Sequence, residues 1–159
     1  MFSQSLPLHP AVVHFPIALG ILAPLVTLCV WIAIRRNGLT RRAWLIVMGI
    51  HLLTVGSGVI SMKLGERDED QVEKVVGKAA IHEHEEAAEA FVWTSGATLA
   101  LSGVTFFVPG GTLLVIGRAL TSVGSLIASG LVLNAGHSGG VLVYEKGAAQ
   151  AYVGGASHD

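Results

Sequence analysis

Apolar residues along this chain fall into four long runs separated by short polar segments, at about 11–34, 43–64, 87–108 and 112–133. A bilayer's hydrocarbon core takes about 20 helical residues to cross, so each run predicts a transmembrane helix. Pro16 and Pro24 fall inside the first run; Pro16 sits near its end, and Pro24 is the expected kink. Between Gly65 and Lys78 the chain turns polar, yet Val72, Val75, Val76, Ala79 and Ala80 recur at helical spacing. That pattern predicts a short amphipathic helix lying on one membrane face. After the fourth run, Val141-Leu142-Val143-Tyr144 stands between glycines and predicts a short strand or an extended strap. The expected fold is an all-α membrane protein, an antiparallel four-transmembrane-helix bundle with an outer amphipathic loop helix and a C-terminal extended strap. Residues 1–137 would form the bundle and 138–159 an extramembrane tail.

Composition supports lipid as the solvent. Of 159 residues, 52% are apolar and 13% charged, and the mean hydropathy is +0.63; a soluble domain carries about 25% charged residues. A net charge of −1 gives no basic surface for nucleic acid. The single cysteine, Cys29, excludes an internal disulfide, an all-cysteine metal cage and c-type haem attachment. The N-terminus lacks a basic leader segment, so the first run reads as a retained span.

The charges also orient the bundle. Residues 35–42 hold Arg35, Arg36, Arg41 and Arg42 and no acid, which places that loop in the cytoplasm. The segment 65–86 is rich in acids, as expected for the far side, and Arg118 is positioned to snorkel to the inner face. Both termini are then periplasmic or extracellular. Glycines and serines spread through the last three runs favour close helix packing.

Five histidines gather at the outer face by this count. His9 lies at the surface, His14 just beneath it, His82 and His84 at the entry of the third span and His137 beyond the exit of the fourth. If 82–91 is helical, His82 shares an outward face with Glu86 and Glu89, while His84 faces inward with Ala87, Ala88 and Phe91. His51 lies roughly 20 Å below the outer end of its own helix. An interhelical hydrogen bond with a Ser or Thr suits it better than that outer cluster.

The opening H-P-x-x-V-H-F-P-I-A-L at 9–19 resembles the start of a bacterial membrane family known as domain-of-unknown-function family 2231. The His84-Glu85 pair resembles that family's loop motif, and Gly136, His137, Gly139, Gly140, Leu142, Val143, Tyr144 and Gly147 resemble its tail pattern. The resemblance covers nearly the whole chain and implies a four-span membrane protein. Proteins of this kind have been suspected of carrying haem or working beside cytochromes, while the family has no assigned activity.

The chemistry read from the residues is that two inward imidazoles, His14 with His84 or His14 with His137, ligate one centre. Haem b takes axial donors from facing helices. Copper or zinc would draw on His9, His14, His84 and His137, with Glu85 as a further donor. With no catalytic motif in the sequence, the expectation is an electron carrier or accessory subunit of the bacterial cytoplasmic membrane, more a non-enzyme than an enzyme. Its partner would be a periplasmic cytochrome or a respiratory subunit, in a homo- or hetero-oligomer. The alternatives are a structural or assembly subunit with no cofactor, whose histidines only fasten loops, and an oxidoreductase approached by quinone from lipid.

Overall fold

A computed structural model describes residues 8–153. The order of elements is α1 (His9–Val12), α2 (His14–Arg35), a 3-10 turn (Arg41–Ala43), α3 (Trp44–Val76), α4 (Lys78–Phe107), α5 (Gly111–Tyr144) and α6 (Gln150–Val153). Four of these helical segments are long and apolar enough to cross a membrane. They form a ring in which each long helix packs against its neighbours in sequence and α2 closes on α5. Short connections make successive helices antiparallel.

Lipid-like solvent explains which residues face where. Large apolar side chains such as Leu22, Leu25, Leu53, Trp93 and Leu126 point outward. The interior holds Thr27, His51, Ser95, Ser102, Thr121 and Ser125, all essentially without exposure. In a bilayer, small residues permit close backbone approach and hydroxyls find partners between or along helices. Thr54, Thr98, Thr121 and Ser125 each donate back to the carbonyl four residues earlier, at 2.8 Å. Gly117 and Gly124 of α5 are pressed against Thr105 and Thr98 of α4, where a Cβ would come within 2.5 Å of each Oγ1.

Three expectations are corrected. The first run is not one helix: it breaks at Val13, three residues before Pro16, whose missing N–H leaves the ladder short, and α2 then runs on through Pro24. A missing donor and a ring against the carbonyl of Val12 account for the break. The amphipathic segment 65–76 is not a separate loop helix but the last turns of α3, which stops only at Gly77, with φ 79° and ψ 155°. Such a conformation suits glycine. Residues 138–144 are neither strand nor strap, because α5 continues helically to Tyr144. The glycines there serve packing: a Cβ on Gly139 would lie 3.1 Å from the His84 ring.

A helix of 33 or 34 residues is about 50 Å long, against about 30 Å of hydrocarbon. α3 and α5 therefore project beyond a bilayer, with the acidic residues of 66–89 at that projecting end and the arginine-rich turn at the other.

Candidate functional site

The buried stripe of each helix decides which histidines meet. In α3 it runs Trp44, Val47, His51, Thr54, Gly58 and Ser61; one turn further along lies Gly65. In α4 it runs Ile81, Ala87, Phe91, Ser95 and onward, with half-buried His84 in phase. In α5 it runs Thr121, Ser125, Ala128, Val132, Ala135 and Leu142, which puts Ser138 and Gly139 inward and His137 outward.

His9 and His84 meet at the acidic end. Their ring centres are 6.2 Å apart, edge to face at 81°. His9 Nδ1–H donates to the carbonyl of Ser61, at 2.8 Å. His84 Nδ1 lies 2.9 Å from Ser138 Oγ, whose own proton goes to the carbonyl of Ala135, at 3.0 Å. The Ser138 oxygen must then accept, so His84 also carries its proton on Nδ1. Both rings thus keep an Nε2 lone pair, the tautomer that a metal-ligating histidine adopts when its other nitrogen is held by an outer partner. Glycines make room for both: a Cβ on Gly65 would lie 3.2 Å from the His9 ring, as one on Gly139 would crowd His84.

The other expected ligands are placed elsewhere. His14 is exposed, and its Nδ1 donates 3.3 Å to the carbonyl of Ala11 on its own side of the chain. His137 is exposed on the outer face of α5. Glu85 lines an open cleft of about 400 Å³ with Glu69, Lys78, Ala79, Ile81 and His82, which neither His9 nor His84 lines. His82 is exposed and pairs with Glu86 at 3.3 Å, as helical phase requires. His158 and the rest of the last six residues lie outside the described residues. Among the described residues, no group of three or more His, Cys, Asp or Glu side chains gathers to hold a metal ion.

His51 has the interhelical role expected of it. Its Nε2 lies 3.0 Å from Ser125 Oγ and 3.3 Å from Thr27 Oγ1, joining α3 to α5 and α2. Sequence reasoning missed the contribution of Ser61, Ser138, Gly65 and Gly139. Their signal was the seven-residue recurrence of buried small positions, which runs on past the point where hydropathy falls.

At the arginine end, Arg41 donates to the carbonyls of Phe106, Val108 and Pro109, closing the end of α4. Arg118 does not snorkel outward: it is buried, with its guanidinium 5.2 Å from the centre of the Trp44 ring.

The class defined by these features is a four-helix membrane protein with a paired-imidazole contact at one end. The chain belongs to the family described as predicted membrane protein (DUF2231), whose model matches residues 5–151. No curated protein and no solved structure matches it.

Proposed function

We propose that this protein is a small, non-enzymatic metal-binding subunit of the bacterial cytoplasmic membrane, holding a copper ion between Nε2 of His9 and Nε2 of His84 at the periplasmic side. The single observation behind this reading is the paired tautomer just described. Two imidazoles on one ion, with metal–nitrogen bonds of about 2.0–2.1 Å, keep their ring centres roughly 5–6.5 Å apart, and the observed separation of 6.2 Å falls within that range. One-electron redox chemistry is what copper supplies when bound; zinc has no redox chemistry and would act structurally. Ser61 and Ser138 hold the rings by Nδ1, and Gly65 and Gly139 let the rings reach the helix surfaces. Electron exchange with a periplasmic cytochrome or respiratory partner is the role proposed for the pair.

Copper is preferred to haem b because the rings pack flush against two helices at the glycines, whereas a porphyrin needs a planar slot between its axial ligands. Zinc is less well supported, since it normally collects three or four protein ligands. A structural role is the second reading, favoured by the fact that His9, His51 and His84 each hydrogen-bond a helix other than their own.

The test is elemental analysis and oxidised and reduced spectra of detergent-purified protein made with copper, zinc and haem precursors supplied. Stoichiometric copper, lost in His9→Ala and His84→Ala and retained in His14→Ala and His137→Ala, supports the proposal. A Soret band moves the assignment to haem. Neither metal nor chromophore leaves the structural reading.

A further inference from the structure

The opposite end of the bundle presents a cation without a counter-charge. Arg118 is 6% exposed, and its Nε is buried with no hydrogen-bond partner. Among the described residues the guanidinium makes no ion pair. Its aromatic support is fixed, because the Trp44 indole N–H donates to the carbonyl of Ser102, at 3.1 Å. Thr105 Oγ1, which abuts Gly117 beside Arg118, is a second buried polar atom without a partner. Arg41 is held at the same end by the carbonyls of Phe106, Val108 and Pro109, with its guanidinium 6.0 Å from the centre of the Phe106 ring.

Among the described residues no acid neutralises this pair. The acids among them lie at 66–89 and at 145, on the far side of the bundle, while Arg35, Arg36, Arg41, Arg42 and Arg118 share this end. A buried charge left unpaired is strongly unfavourable, and more so inside a bilayer. An anion from outside the described residues would neutralise it.

We infer that Arg118 and Arg41 form a binding site for a phosphate-bearing anion, occupied by the headgroup of an anionic phospholipid. Arg118 is seven residues into α5, about 10 Å from the helix start, a depth that a lipid phosphate reaches from the membrane surface. A planar guanidinium grips phosphate oxygens through paired N–H groups, and basic pockets between spans are lipid headgroup sites elsewhere.

The experiment measures lipid retained by the full chain in mild detergent, by native mass spectrometry, after exchange into phosphatidylglycerol or phosphatidylcholine. Wild type should retain phosphatidylglycerol and not phosphatidylcholine. Arg118→Gln should lower retention at least about tenfold, the scale of one lost charge-assisted hydrogen bond. Arg118→Lys, which keeps the charge without the fork, should fall between them. Arg41→Gln gives an independent arm if Arg118→Gln fails to fold, and His82→Ala, exposed at the far end, should retain lipid as wild type does. Equal retention of both lipids, or undiminished retention in the folded Arg118 and Arg41 variants, overturns the site. Displacement of phosphatidylglycerol by excess inorganic phosphate would assign a free anion and overturn the lipid headgroup. Retention of neither lipid nor phosphate would point to a partner protein's carboxylate and likewise overturn it.

Discussion

Replacing His51 by leucine tests the polar joint at the centre of the bundle. Ser125 Oγ gives its proton to the carbonyl of Thr121 at 2.8 Å, so toward His51 it accepts, and Nε2 must be the protonated nitrogen. That N–H is shared with Thr27 at the longer distance of 3.3 Å. Leucine nearly conserves volume, so the packing change is small and the loss is that of the shared donor. Hydrogen bonds between helices in membranes contribute about 0.6 kcal/mol on average and about 1.7 at most. Ser125 stays satisfied by Thr121, whereas Thr27, with no exposure, loses the partner shown for it. His51→Leu should therefore destabilise by about 1–2 kcal/mol, and His51→Ala by about 2 kcal/mol more because it also leaves a cavity. The assay is reversible unfolding in mixed micelles titrated with a denaturing detergent. A double-mutant cycle of His51→Leu with Ser125→Ala should return a coupling of about 0.6 kcal/mol. If His51→Leu is as stable as wild type, or the two substitutions add without coupling, the hydrogen-bonded joint contributes nothing and the reasoning fails.

Gly124→Ala would place a methyl 2.5 Å from Thr98 Oγ1, and overpacking of this kind costs about 1–3 kcal/mol; adding Thr98→Ala should recover part of the loss, and no recovery would show that the contact is not the cause. Gly77→Ala meets no neighbouring atom but must hold φ near 79°, so unfolding should ease by about 1–3 kcal/mol from backbone strain alone, and an unchanged midpoint counts against that turn. Tyr152 of α6 lies against Asp68, and burial first, then the carboxylate, raises its pKa above 10.0. A raised value favours the neutral phenol in the folded protein, so this contribution to docking α6 on α3 is whole below pH 10 and fades as pH climbs through the folded value. In a Tyr144→Phe background, phenolate absorbance should rise with a midpoint above 10, and Asp68→Asn should lower it; a midpoint at or below 10 contradicts the contact.

How far the sequence could be read depended on the signal used. Hydropathy alone located the four spans, and charge placed the arginine turn and the acidic segment at opposite ends, because lipid punishes buried charge at every position of a run. Hydropathy failed at the helix ends, where α3 and α5 leave the apolar zone but keep their hydrogen-bond ladders. Treating Leu133 as the end of a span discarded the phase that reaches Leu142, and with it the fact that Ser138 and Gly139, not His137, point inward. His14 was favoured over His9 on depth, yet depth does not give azimuth: the stripe Pro16, Gly20, Ala23, Thr27 and Val30 leaves His14 off the packed face. His84 was read correctly because helical phase was applied to it. The break at Val13 was not legible, since a proline acts on the carbonyl four residues before it, here that of Val12, which has no sequence mark of its own.

The two ends are separated by more than sequence. Arg118 and Ser138 both belong to α5, 20 residues apart, or about 30 Å along the axis. A charge effect over that distance is screened out at the exposed ends, so loss of anion binding at Arg118 has no electrostatic route to the His9–His84 contact. The remaining route is mechanical, through α5 as a rod held to α4 by the glycine–threonine contacts at 117 and 124. The contact at Gly124 lies between Arg118 and the histidine end, the one at Gly117 lies beside Arg118, and together they fix the register of α4 against α5. With the register fixed, the His84–Ser138 hydrogen bond stays aligned whether or not an anion sits at the far end.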